Sequence, residues 1–310
     1  MQDGGSRNLF YVIPPTSHPR QTPIEIIRRR VRLTYDSARA RGWTKLPRVN
    51  ETGLNAISFL FPVGEAFFCR SVAHYRDRIT DPVLRDAADR FIHQEAMHSR
   101  EHARSNRALQ EAKVPGAELE SLARFLLGLS KAVLPRSTQL AMTCAMEHFT
   151  AMLAERLLAK RTLYREGVDP DFANLWLWHA AEEIEHKAVC FDVYDHIFGS
   201  GFWAWLHRCA AMGMVTFFGG GGLLAGLMVM RIKAMRRRGA GPAGPGGGGG
   251  GGGGTSLRVI FGGVAARAYY DYFRRDFHPW DQDDRPLLEA WKMEHPGFGL
   301  GGDHHAHAHG

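Results

Sequence analysis

Two short motifs, Glu95-Ala-Met-His98 and Glu183-Ile-Glu-His186, each stand inside a long helical pattern, and each is preceded by a glutamate set among apolar residues. The upstream glutamates are Glu65 in FPVGEAFF, 30 residues before Glu95, and Glu147 in CAMEHFT, 36 residues before Glu183. At about 100° per residue, positions i and i+3 of a helix lie roughly 60° apart, so each Glu and His project from one face. Phe67, Phe68, Met97, Met146, Phe149 and Trp178 flank these positions and argue that the faces are buried, where an unpaired carboxylate is costly. No other feature restricts the fold as much. The helices must pair so that their carboxylates share something that neutralises them.

Apolar positions recur every three or four residues from about Asn55 to Met235, which predicts helices near 54–79, 82–111, 136–165 and 170–198, with a shorter one near 118–133. Thr80-Asp81-Pro82, Lys113-Val114-Pro115-Gly116, Pro135 and Gly167-Val168-Asp169-Pro170 punctuate the pattern as stops and capped starts. A bend near Asp81 places Glu65 and Glu95 roughly 24 and 21 Å from it, at about the same height. A bend at Val168 leaves Glu147 and Glu183 roughly 32 and 23 Å away, so the second loop must begin earlier, near Leu163. One Glu from each of two helices and Glu-x-x-His from each of two others is the donor pattern of di-iron and di-manganese carboxylate bundles. The expected fold is therefore all-α, a ferritin-like four-helix bundle with additional C-terminal helices. The expected organisation is an N-terminal extension over 1–53, the di-metal bundle over 54–199, and an apolar helix with a basic flank over 200–238. A Gly-rich linker over 239–254, a helical segment over 255–294 and a His-rich disordered tail over 295–310 follow.

Six residues are the expected metal ligands: Glu65, Glu95, His98, Glu147, Glu183 and His186. Carboxylates bridge and neutralise divalent or trivalent ions, and imidazole favours iron over calcium or magnesium, so the expected cofactor is two metal ions, iron first, with manganese or zinc as alternatives. His179, four residues before Glu183, is open between a seventh ligand and a core histidine satisfied by its neighbours. His102, four after His98, is the weaker candidate and reads first as core, with a hydrogen-bonding role behind a ligand as the alternative. Glu182 and Glu185 fall off the ligand phase and are expected to be exposed or to contact ligands from outside. Glu101, Glu111 and Glu155 read as solvated. No catalytic residue beyond the ligands is identified.

Cys69, Cys144, Cys190 and Cys209 contain no CxxC among them, which fits neither a zinc knuckle nor a disulfide framework and suits a reducing cytoplasm; Cys69, Cys144 and Cys190 read as core filler, with a place in the next layer of the pocket as the alternative. The net charge of +7 is concentrated in Arg28, Arg29, Arg30 and Arg32 and in the run Arg231, Lys233, Arg236, Arg237, Arg238. Both clusters read as solvated basic faces, with an acidic partner or a membrane surface as the alternative. Cys209 to Met230 is an uncharged stretch of 22 residues, about 33 Å as a helix and long enough to cross a bilayer. A single crossing would place the metal domain outside, yet the first twenty residues show no secretory pattern. The competing expectations are a helix buried against the bundle, or a hairpin or interfacial helix with its Arg cluster on anionic lipid. The location is read as cytoplasmic, with membrane association through 207–238 as the alternative. A small-molecule substrate is expected, with an electron donor that the residues do not specify. No nucleotide motif or nucleic-acid surface is present.

FPVGEAFF, FIHQEAMHSREH, AMEHFTA, WHAAEEIEHKAVCFDVY and RRDFHPWD resemble the bacterial family of predicted metal-dependent hydrolases, over most of residues 20–292 apart from the glycine linker. The resemblance implies a ferritin-like metal protein with the six ligands named above. The pattern His179, Glu183, His186 is also similar to the arylamine N-oxygenases, di-iron enzymes with three histidine ligands. The first resemblance implies hydrolysis and the second oxidation. A carboxylate- and imidazole-rich set suits dioxygen at least as well as water, so an oxidase or oxygenase acting on a small organic or lipid-like substrate leads. A hydrolase using metal-activated water is the first alternative, and a non-catalytic metal-binding or membrane-associated scaffold the second.

Overall fold

Three of the helices open as their sequences direct. The side chains of Asn50, Asp81 and Asp169 each accept a hydrogen bond from a first-turn N–H, and Pro82 and Pro170 occupy first-turn positions where no N–H is needed. The computed structural model describes residues 24–46, 49–239 and 263–300, and among these it is all-α, with no strand. The elements are α1 (Ser37–Ala40), α2 (Glu51–Ala73), α3 (Pro82–Glu111), α4 (Ala117–Val133), α5 (Arg136–Ala159) and α6 (Pro170–His186). They continue with α7 (Val189–Phe198), α8 (Phe202–Met214), α9 (Gly221–Gly239), α10 (Gly263–Asp271) and α11 (Arg285–Glu294). A π-helical turn, Val215–Gly220, joins α8 to α9. Residues 1–23, most of the glycine stretch and the tail beyond Leu300 lie outside the described residues, as do the expectations made for them.

Helix α2 packs on α3 and α5 on α6, while α2 also touches α5 and α3 touches α6, so the four close into a bundle. Their ends differ from the sequence-based expectation in ways that matter for the site. Helix α5 stops at Ala159 and gives way to a 3-10 turn, Arg161–Tyr164. Glu147 then lies 159 − 147 = 12 residues before the end of α5 and Glu183 lies 183 − 170 = 13 after the start of α6, roughly 18 and 20 Å, so the two glutamates share a level. The single helix expected over 170–198 breaks at Lys187 and Ala188, directly after His186. Lys187 is held at that break by Asp284 at 2.6 Å and by the carbonyl of Gln282 at 2.7 Å.

Apolar side chains form two large clusters. One gathers Phe59, Leu109, Leu157, Phe172 and Trp176; the other gathers Phe67, Phe91, Leu140, Phe191 and Tyr194. On α2, α3 and α5 the passage from one cluster to the other falls at Glu65, at Glu95 and His98, and at Glu147. The carboxylates therefore occupy a polar layer between two dry ones.

The stretch before α1 corrects one expectation. Residues 28–34 alternate strictly between exposed and buried, the period of an extended chain, which turns Arg28, Arg30 and Arg32 to solvent but Arg29 inward with Val31 and Leu33. Arg29 is 3% exposed. It is not part of a solvated basic face.

Candidate metal centre

The polar layer brings together all seven of the residues singled out as ligands or as a seventh candidate, each almost fully buried. His186 Nε2 stands 3.0 Å from Glu95 Oε1, 3.5 Å from Glu147 Oε2 and 3.6 Å from Glu183 Oε1. His98 Nδ1 stands 3.6 Å from Glu95 and 3.8 Å from Glu183, and His179 Nε2 stands 2.9 Å from Glu183 and 3.8 Å from Glu65. Within this layer, Glu65, Glu95 and His98 converge as one group of donors, and Glu95, Glu147 and His186 as another; His98, His179 and Glu183 form a third, and Glu65, His102 and His179 a fourth.

Nine inward-facing atoms of this layer have no hydrogen-bond partner: both oxygens of Glu65, Glu95 and Glu147, Glu183 Oε2, His98 Nδ1 and His186 Nε2. The 3.0 Å approach of His186 to Glu95 lacks hydrogen-bond alignment, so both atoms stay open. Buried polar atoms without partners cost about 1–3 kcal/mol each, and a fold concentrates them only where something else completes them. Carboxylate oxygens and imidazole nitrogens are donors to a metal ion, and the set fits one.

Each inward histidine is fixed from behind. His98 Nε2 lies 3.0 Å from Glu182 Oε2; a carboxylate only accepts, so Nε2 carries a proton and Nδ1 is the nitrogen turned to the layer. His186 Nδ1 meets Gln94 Oε1 at 2.8 Å. The Gln94 amide is oriented because its Nε2 donates to the carbonyl of Ile27 and to Glu185, both at 2.9 Å, so His186 Nδ1 must donate and Nε2 is left free.

The orientation of His179 begins at a proline. Pro62, inside α2, has no N–H to give the carbonyl of Ser58 one turn earlier, and Asn106 Nδ2 donates to that carbonyl instead at 2.8 Å. Asn106 Oδ1 is thereby turned to accept from Ser58 Oγ at 2.7 Å. Ser58 Oγ must then accept from His102 Nδ1 at 2.8 Å, so His102 Nε2 accepts from His179 Nδ1 at 2.7 Å. His179 Nε2 hydrogen-bonds Glu183 Oε1 at 2.9 Å, the imidazole donating to the carboxylate, and it is the nitrogen that would turn to a metal once that proton is displaced. His102 spends both ring nitrogens on this chain and stands behind the layer. Ser58→Ala removes the acceptor that sets the direction of the chain; metal affinity measured by competition with a chelator should fall about tenfold or more. Unchanged affinity, with His179 still protonated at Nδ1 by nitrogen-15 NMR, would refute this role for Ser58.

Burial first, and then the surrounding carboxylates, push Glu65 and Glu147 well above the usual carboxylate range. Burial also opposes charge on Glu95 and Glu183, but the facing histidines outweigh it and hold both below that range. For His98, burial is outweighed by Glu182 and Glu95, and its pKa rises to about 9. Without metal the layer is thus partly neutralised by its own protons, which an entering cation must displace.

Other charged residues meet expectation only in part. Glu182 and Glu185 are buried and contact ligands from outside, as the second of their two expected roles has it: Glu182 meets His98 and Glu185 meets Gln94 behind His186, and Arg29 bridges them at 3.0 and 2.8 Å. Glu101, expected to be solvated, is fully buried against Arg104 at 2.8 Å and Arg100 at 3.1 Å. Glu111 is exposed and Glu155 half-buried. All four cysteines are free; Cys144 donates to the carbonyl of Cys190 at 3.2 Å. Arg29, Gln94, Ser58 and Asn106 escaped the sequence reading, although two signals existed: Arg29 shares the phase of Val31 and Leu33, and a proline within a helix frees a carbonyl one turn back.

A family model described as predicted metal-dependent hydrolase matches residues 27–283. No curated protein and no solved structure matches the chain.

Proposed function

We propose, for a chain that belongs to the family of predicted metal-dependent hydrolases, that its bundle is a ferritin-like holder of two metal ions, iron in the first place, serving oxidation of a small organic or lipid-like molecule. The observation that carries the two-ion reading is the sharing of donors. Glu95 belongs both to the group with Glu65 and His98 and to the group with Glu147 and His186, while Glu183 faces His98, His179 and His186. Glu65, His98 and His179 would hold one ion and Glu147 and His186 the other, with Glu95 and Glu183 between them.

Ions so held activate water for hydrolysis or, when redox-active, dioxygen for oxidation. The surroundings favour the second. Phe61 packs on His179 at 4.6 Å between ring centroids, Phe91 on His186 at 4.9 Å and Trp178 on His98 at 4.9 Å, so aromatic rings surround the imidazoles and keep water away. The likeness of the His179, Glu183, His186 pattern to the arylamine N-oxygenases points the same way. Hydrolysis with zinc or manganese is the second reading, and the family description favours it.

Anaerobic loading with Fe(II), metal analysis and exposure to air test the proposal. Two irons per chain and a visible absorption band that develops only with oxygen are expected. One ion per chain would overturn the two-ion reading. Retention of zinc, no response to oxygen and turnover of model esters or amides would replace oxidation by hydrolysis.

A further inference from the structure

The helix formed by α8, the π-helical turn and α9 runs without interruption from Phe202 to Lys233, and only 11% of its most apolar stretch is buried. One side is committed to the protein. Trp205 Nε1 donates to the carbonyl of Phe273 at 2.9 Å and Arg208 to that of Tyr272 at 2.8 Å. Met212, Val215 and Met230 are buried, and a Cβ added at Gly226 would meet Leu119 at 2.3 Å, so α9 and α4 approach closely there. This overturns the expectation of a helix simply buried against the bundle, because the opposite side is bare. Trp203, Leu206, Phe217, Leu224 and Met228 are between 40% and 77% exposed; with Ala210, Gly213 and Gly221 they form one uncharged stripe in steps of three and four residues. Helix α4 lies against α9 and leaves Phe125, Leu129 and Val133 uncovered at i, i+4 and i+8. Exposed apolar surface of this extent marks an interaction site.

The ends of the stripe indicate what covers it. Phe202 to Gly239 contains no Asp or Glu; Trp203 stands near one end, and Arg231, Lys233 and, in the sequence, Arg236, Arg237 and Arg238 stand at the other. Lys233 already pairs with Glu118 of α4 within the chain, so a second copy laid on this face would meet a helix with no acidic residue of its own to receive Arg231 and the arginines that follow it in the sequence. Anionic lipid meets both demands, the acyl layer taking the stripe and the phosphates the cations. Crossing the bilayer would strip the inner side of its hydrogen bonds and packing, so the helix must lie along the surface. We propose that the outer face of α8 and α9, extended by α4, seats the protein in the plane of an anionic membrane surface. This inference does not depend on the metal centre.

Sedimentation of the full chain with vesicles of phosphatidylcholine, alone or mixed with phosphatidylglycerol, tests it. Binding to the mixed vesicles should be about tenfold tighter than to the neutral ones. Phe217→Asp combined with Met228→Asp should weaken binding about tenfold or more to both, whereas Arg231→Gln with Arg236→Gln should weaken it on the mixed vesicles alone. Quenching by brominated lipid gives an independent reading: the fluorescence quenched in the native chain should drop in Trp203→Phe. Equal binding to both vesicles, or quenching that does not depend on Trp203, overturns the proposal. So does a change from dimer to monomer in the Phe217→Asp, Met228→Asp chain without any loss of vesicle binding, which would assign the face to a second copy.

Discussion

Glu65→Met and Glu147→Met should each abolish most metal uptake while making the metal-free protein more stable. Both carboxylates are fully buried with neither oxygen hydrogen-bonded, so without metal they contribute only desolvation and mutual repulsion. Burial and the neighbouring carboxylates keep both protonated well above the normal range, which relieves the charge but not the missing partners. Methionine fills nearly the same volume without polar oxygens. Removing one such group should add about 1–3 kcal/mol to metal-free stability, a rise of several degrees in thermal midpoint for a chain of this size. Metal analysis and thermal unfolding in the presence of a chelator check both halves. A loss of stability in the metal-free variants would mean that these carboxylates serve the fold, and the site assignment would fail.

Arg29→Met should act in the opposite sense, destabilising the protein by about 3–5 kcal/mol, because removing one member of a buried ion-paired set strands the rest. Arg29 reaches Glu182 with Nη1 and Glu185 with both terminal guanidinium nitrogens, and among the described residues the other cationic groups near this pair are His98, 3.0 Å from Glu182, and Lys292, 3.6 Å from Glu185. The effect should reach the metal layer. Glu182 fixes the proton of His98, so loosening it should cost about 10- to 100-fold in metal affinity. Arg29→Lys should recover only part of either loss, since an ammonium cannot span two carboxylates as the guanidinium fork does. Urea unfolding and chelator competition measure the two effects. A change below about 1 kcal/mol in stability would show that the buried triad is neutral to the fold.

Much of the site could be read from the chain because its logic is local. A Glu and a His three apart share a helix face whatever surrounds the helix, and an aspartate followed by proline starts a helix by supplying an acceptor where N–H groups are free. The glutamates upstream of each motif could be paired with it by length alone, once the second loop was allowed to begin early. The residues that spacing left open share a different cause. Every side chain from Leu175 to His186 in α6 is buried, so the helix has no solvent side against which Glu182 and Glu185 could be judged.

His102 and His179 show the same limit. Both stand four residues from a proposed ligand, and nothing in spacing separates them. The separation comes from α2, where a carbonyl freed by Pro62 sets the direction of four successive hydrogen bonds and leaves on His179 the nitrogen that faces Glu183. By itself the sequence determined the Glu and Glu-x-x-His pattern, the helices that carry it and the existence of an uncharged helix after it, because each depends on contacts within a few residues. Only the tertiary structure decided which nitrogen of each histidine faces the layer, that Arg29 neutralises its outer side from more than 150 residues away, and that one face of the uncharged helix is covered while the other is bare. Those outcomes depend on which segments meet, and a partner far along the chain leaves no period in the sequence to announce it.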